Sequence, residues 1–287
     1  MKIKGDLSVK KCILWIMCYM LMMLIVTPTV SVRATAYLDL NLIEEWLSEE
    51  DVSQLLPLLP KEAYPSDPEI QLVNKDNRLE EEPNFPQAYT AEGHRYHAGV
   101  QQDFEALLKA GQEAGYTYQT LSAYRSMQMQ LTNRETRYQY YLNNGMSQED
   151  AQYWLDAYYA PMDGSEHLLG LAFDILGTKW LAQGGLLTIG YAQTEEYQWM
   201  SHHAHEYGFI LRFPDDKVDI TGYFFEPWHY RYVGKIHAKF MYEHNLTLEE
   251  YTYLIQRRQS KLKTLDENKA QNEPIDLEPN KKGTRIH

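Results

Sequence analysis

Cysteine is almost missing from this chain: Cys12 and Cys18 are the two present, and both fall inside one apolar run near the N-terminus. Everything beyond residue 18 lacks a thiol, so no disulfide can brace it, and stability must come from core packing or from a metal. Positive charge is also scarce. Lys and Arg number 27 against 40 Asp and Glu, a formal net charge of -13, which excludes a nucleic-acid partner because phosphate backbones need a basic face. There is no glycine-rich phosphate loop, no internal repeat and no HExxH, since His205-Glu206 is followed by Tyr207 and Gly208. Long apolar runs are confined to CILWIMCYMLMMLIV. Four lysines precede it in MKIKGDLSVKK, and Ala34-Thr35-Ala36 comes after it as a small-residue cleavage site. This is the pattern of an export segment. It reads either as a cleaved signal or, if weakly polar residues up to Val32 extend the run to about twenty, as an uncleaved anchor. Charge before the run and little after it places the bulk of the chain outside the cell in both cases. The residues before Cys18, Trp15-Ile16-Met17, are not small, so a lipoprotein cleavage site is not expected.

The 287 residues suit one main domain with a full core. The expected organisation is a signal or anchor over 1–36, an acidic leucine-rich connector over 37–68, a main domain over 69–262 and a disordered polar tail over 263–287. Within the connector, LIEEWLSEEDVSQLL can form a short helix before Pro57 and Pro60 stop it. Val100, Phe104, Leu107, Leu108 and Gly111 recur at helical spacing, which predicts an amphipathic helix ending near Gly115. TYQTLSAYR reads as a strand. Met127 to Tyr159 reads as helix, broken at Asn143-Asn144-Gly145 and restarted with Ser147 as N-cap. LGLAFDI is the next strand, and Thr194 begins a helix that ends at Gly208. FILRF, VDITGYFF and HYRYV read as short strands, and Thr247 with Glu250 makes a capping box for a last helix. Helices come early and antiparallel-looking strands late, so the fold class is α+β, with helices packed on a small, mainly antiparallel sheet.

SEHLLGLAFDI raises a chemical question, because it sets Asp174 between Phe173 and Ile175 in a strand. An ionised carboxylate there costs several kcal/mol, roughly, unless a cation or strong donors compensate it. Strand alternation points Asp174 away from its apolar neighbours, towards the face of Ala172, and a compensating ion fits there. FFEPWHYRYVG supplies a second pair, Glu226 and His229. A catalytic zinc takes three His or carboxylate ligands and keeps a fourth position for water. His167, Asp174 and His229 make that set, leaving Glu226 close by as general base and acid. In SAYRSMQMQ, Arg125 comes just after a strand end, and its fork of donors suits a carboxylate or an oxyanion. SHHAHE holds more histidines, but His203 cannot share a helical face with His202 and His205, so it reads as an exposed helix side.

At these residues the sequence resembles the VanY-type D-alanyl-D-alanine carboxypeptidases, zinc peptidases of the bacterial cell wall, and their L,D-carboxypeptidase relatives. SAYRS resembles the family's S-x-Y-R-S, SEHLLGLAFD its S-x-H-x-x-G-x-A-x-D and EPWHYRYVG its E-x-W-H segment, and the resemblance spans about residues 69 to 245. It implies Zn2+ held by His167, Asp174 and His229, catalysis by Glu226 with Arg125 polarising the scissile carbonyl, and a substrate groove shaped by Ser122, Gln130, Ser165 and Trp228. Two departures stand out: Phe213 where relatives often carry tyrosine, and Met162-Asp163-Gly164 leading into Ser165.

The expected function is therefore a zinc carboxypeptidase acting outside the membrane, removing the terminal D-alanine from peptidoglycan stem peptides by attack of zinc-bound water. D-Ala-D-Ala stems are favoured. An L,D-carboxypeptidase acting on tetrapeptide stems and a non-catalytic peptidoglycan-binding module are the alternatives, and intact Glu226 speaks against the second. Expected partners are the stem peptides, with no nucleic acid, membrane contact only through the N-terminal segment, and a monomeric chain.

Overall fold

A computed structural model describes residues 46–272; the export segment lies outside the described residues. In chain order the main elements are α1 (Glu49–Leu55), β1 (Gln87–Tyr89), β2 (Arg95–His97), α2 (Gln101–Glu113), β3 (Tyr118–Ser122), α3 (Met127–Asn143), α4 (Gln148–Tyr158) and β4 (Ala172–Gly177). Next come α5 (Thr178–Ala182), α6 (Glu195–His203), β5 (Phe209–Leu211), α7 (Val218–Thr221), β6 (His229–Tyr232), α8 (Lys235–Glu243) and α9 (Leu248–Asn272). β1 and β2 form a hairpin, and the other strands form one antiparallel sheet in the order β3-β4-β6-β5. The fold class is α+β, helix-rich with small antiparallel sheets. Among the described residues no helix is long and apolar enough to cross a membrane.

Sequence period decides which face of β4 does what. Leu171, Phe173 and Ile175 enter a core shared with Phe104 of α2, Met200 of α6 and Phe209 of β5, and the Phe104 and Phe173 rings stack at 4.4 Å. Each such side chain, fully buried, contributes roughly 1.5–3 kcal/mol. Ala172 and Asp174 are left for the opposite face. The helix break between α3 and α4 occurs where Ser147 caps α4 by accepting from the Asp150 N–H at 3.0 Å. At the start of α9 the Thr247 side chain accepts from Glu250 N while the Glu250 carboxylate accepts from Thr247 N, completing the capping box.

Three expectations need correction. VDITGYFF is not a strand: Val218–Thr221 is one helical turn closed by Gly222 at φ 71. The residues after that glycine tie to loops, Phe224 N–H donating to Ala157 O and Glu226 N–H to Phe213 O. β-branched composition lost to a glycine whose left-handed conformation closes the turn. The described part of the acidic connector packs onto the domain that was expected to begin at residue 69. Leu47, Val52, Leu59 and Ala63 are buried in a core with Tyr251, Leu254 and Ile255 of α9. Finally, α9 runs on to Asn272, past the point where the polar tail was expected to begin.

Candidate active site

The site starts from a backbone constraint. His167 lies in a 3-10 turn, Glu166–Leu169, which Gly170 closes at φ 67. A Cβ there would meet the Phe85 ring at 2.6 Å and His97 N at 2.9 Å, so glycine alone lets the chain reverse into β4. The turn places His167 beside Asp174, while β4–β6 pairing sets Asp174 opposite His229. Residues from two segments of sequence thus meet by strand register.

All three are buried, and one ligand atom from each can be chosen so that the atoms lie within 4.8 Å of one another. Nε2 of His167 and Nδ1 of His229 each stand 3.5 Å from Asp174 Oδ1. The Ala123 carbonyl, 2.5 Å from His167 Nδ1, can only accept, so Nδ1 carries the hydrogen and Nε2 presents its lone pair. That Nε2 is buried with no hydrogen-bond partner among the described residues. Burial and the Arg125 charge push His167 down to about 4, which keeps it neutral at pH 7. Burial alone would raise the Asp174 carboxyl, but His167, Arg125 and His229 reverse this and hold it well below the usual carboxylate range. Two imidazoles and an ionised carboxylate, with a lone pair lacking a partner, are the donor set of a catalytic zinc site, so the residues fit that ion.

Glu226 Oε2 stands 3.3 Å from His229 Nδ1. Burial raises the Glu226 carboxyl, the direction a group needs if it is to take up and release a proton near neutrality. Arg125 Nη1 lies 3.5 Å from Asp174 Oδ2, and its Nε is buried without a partner among the described residues. These groups line a cleft of about 340 Å³ together with Gln130, Ser165, Phe213, Tyr223 and Trp228. Gln130 Nε2 donates to Ala160 O at 2.8 Å, while its Oε1 is left as a buried acceptor. Phe213, at the departure from tyrosine, packs its ring 4.8 Å from His229. Ser122 is not among the lining residues; it pairs with Asp174 beside a register shift in β3. The SHHAHE stretch stays apart, with His205 stacked on Tyr242 at 3.7 Å and His203 Nδ1 2.9 Å from Glu206 Oε1.

Sequence reasoning missed Glu166. Its Oε2 lies 3.6 Å from His229 Nε2, an ion-pair distance too long for a hydrogen bond, and both atoms are buried without a hydrogen-bond partner among the described residues. Its other oxygen accepts from Arg212 Nε at 2.7 Å and Arg231 Nη1 at 2.9 Å, and Arg212 also grips Glu249. Burial works to raise the Glu166 carboxyl, but the two arginines outweigh it and hold the group well below its ordinary range. Glu166 and Glu226 together oppose the effect of burial on His229 and push it up to about 9. The adjacency Glu166-His167 was visible in the sequence; the arginines that stabilise the buried carboxylate are distant in it.

Residues 93–235 match the VanY family model, described as D-alanyl-D-alanine carboxypeptidase. A D-alanyl-D-alanine carboxypeptidase of Enterococcus faecalis is 32% identical over 180 residues, 63% of this chain and 64% of that one. The chain spans about half to two thirds of the length of such curated relatives. Among solved structures, a Zn(II) complex of a variant vancomycin resistance D,D-pentapeptidase VanY is similar at TM-score 0.56 and 31% identity, covering 64% of this chain and 98% of that one. The LdcB LD-carboxypeptidase is similar at TM-score 0.51 and 31% identity, covering 65% of this chain and 87% of that one.

Proposed function

The chain belongs to the VanY family of D-alanyl-D-alanine carboxypeptidases, and from that membership we propose that it is a zinc carboxypeptidase releasing the C-terminal D-alanine of peptidoglycan stem peptides ending in D-Ala-D-Ala. The observation that carries the reading is the convergence of His167, Asp174 and His229, with the Glu226 carboxylate 3.3 Å from His229. The three residues would hold the ion. Zinc, when bound, supplies Lewis-acid activation of a water and of the scissile carbonyl.

In this proposal the residues of the chain do the rest. Glu226 accepts the proton of the attacking water and delivers it to the leaving amine of D-alanine, one carboxylate serving as base and then acid. The guanidinium of Arg125 faces the oxygen of the attacked carbonyl, where its donors stabilise developing negative charge. Glu166 places a negative charge 3.6 Å from Nε2 of His229, and Ala123 O fixes the ring of His167. Gln130 Oε1 and Ser165 offer polar contacts to the peptide, and Trp228 and Phe213 form the apolar wall. As part of the same proposal the protein works outside the cytoplasmic membrane, delivered by residues 1–36.

Digestion of purified zinc-loaded protein with a pentapeptide stem and a tetrapeptide stem tests this. D-alanine should be released from the pentapeptide, and Glu226→Gln should keep zinc while losing roughly 10²–10⁴ in kcat. Release from the tetrapeptide alone would replace D,D by L,D specificity, the activity that the LdcB name carries. No release from either, with tight binding of one, would make the protein a binding module.

A further inference from the structure

The same cleft contains a cation that the chemistry above does not use. Arg137, in the middle of α3, lines it with Tyr141 and Tyr159. The guanidinium carbon lies 5.4 Å from the Tyr159 ring centre, 5.9 Å from that of Tyr141 and 5.3 Å from that of Tyr140. Aromatic faces hold a guanidinium in place and partly strip its water without neutralising its charge.

The contrast with its neighbour is informative. Arg134, one turn earlier on α3, is neutralised by Asp156 of α4 at 2.6 Å. Arg125, the other arginine lining the cleft, faces Asp174. Arg137 has no carboxylate within 4.0 Å among the described residues, although acids outnumber bases 40 to 27 in the chain. Arg137 is half-buried and lines the same cleft as the buried residues His167, Asp174 and His229. A planar fork of donors without a carboxylate partner among the described residues, lining the proposed substrate cleft, is suited to a carboxylate on the substrate.

We propose that Arg137, seated over Tyr141 and Tyr159, is a subsite for a free carboxylate on the stem peptide upstream of the scissile bond. This rests on the carboxypeptidase reading and adds a substrate requirement to it. Stem peptides offer such a group in two places: the α-carboxylate left free by a γ-linked glutamyl residue, and the second carboxylate of a diamino acid. Amidation removes either one.

Binding separates this inference from the reading beneath it. Zinc-loaded Glu226→Gln protein, unable to turn over, is titrated calorimetrically with pentapeptide stems carrying an acid or an amide at each of the two positions. The acid form should bind on the order of tenfold more tightly at one position, which identifies the carboxylate. Adding Arg137→Gln should bring the acid form down to the affinity of the amide form. Arg137→Lys, which keeps the charge and loses the fork, should keep only part of the preference and serves if the glutamine variant does not fold. Equal binding of acid and amide forms at both positions, or a preference that survives Arg137→Gln, overturns the proposal. Failure of the carboxypeptidase reading shows separately, as absence of D-alanine release by the wild-type protein.

Discussion

His229 has its two nitrogens committed to different tasks, Nδ1 towards Asp174 and Glu226 and Nε2 towards Glu166. With acids on both sides its imidazole is pushed up to about 9, so without zinc it carries a proton at pH 7. A histidine that ligates a metal must be neutral, so zinc held by the proposed triad would have to expel that proton. His167, held down to about 4, has none to lose. Zinc affinity should rise with pH, by roughly tenfold per unit from this group, and level off near pH 9. Calorimetry in buffers of different ionisation enthalpy should find about one proton released per zinc at pH 7; none released would mean that His229 is already neutral there and that its neighbouring acids do not raise it. The residues of this centre were legible because each sits in a short run whose apolar context makes a charge conspicuous. Glu166 and Arg137 were not, because an acid beside a histidine and an arginine amid tyrosines acquire meaning only from what the fold brings to them.

At the scale of elements, Glu166 joins the 3-10 turn to β6 through Arg231, and Arg212 joins that turn to α9 through Glu249. Both arginines are fully buried. Removing one member of a buried charge set costs about 3–5 kcal/mol, because the others lose their compensation. Glu166→Gln should lose stability of that order at pH 7, measured by urea unfolding. The sign with pH comes from the depressed carboxyl: its contribution is complete above the ordinary value of 4.5 and is lost as pH falls through the lower folded-state value. The wild-type protein should therefore lose stability more steeply than Glu166→Gln below pH 4.5, and parallel acid limbs would refute the assignment. Helix boundaries were readable at this scale, as Ser147 and Thr247 demonstrate, since caps are local chemistry. Strand assignment of VDITGYFF failed because Val218–Thr221 closes into a helical turn at Gly222 and Phe224 then donates to Ala157 O, far away in the chain.

For the molecule as a whole, the main domain is larger than composition suggested. Leucines and prolines before residue 69 looked like a connector, yet Leu47, Val52 and Leu59 complete a core with α9. At roughly 1.5–3 kcal/mol for each large apolar side chain, their burial is comparable to the whole stability of an ordinary domain, about 5–15 kcal/mol. A chain beginning at residue 69 should unfold at markedly lower urea than one beginning at residue 46; equal midpoints would restore the connector reading. Composition could not reveal this, because an acidic, leucine-rich stretch looks the same whether it packs or floats.

Zinc X-ray absorption on the loaded protein tests the central claim most directly. The expected first shell holds two imidazole nitrogens and a carboxylate oxygen, and His229→Ala should reduce it to one imidazole or abolish zinc binding. A shell unchanged by His229→Ala but lost when His202 and His205 are replaced would put the metal on the exposed helix and contradict the account.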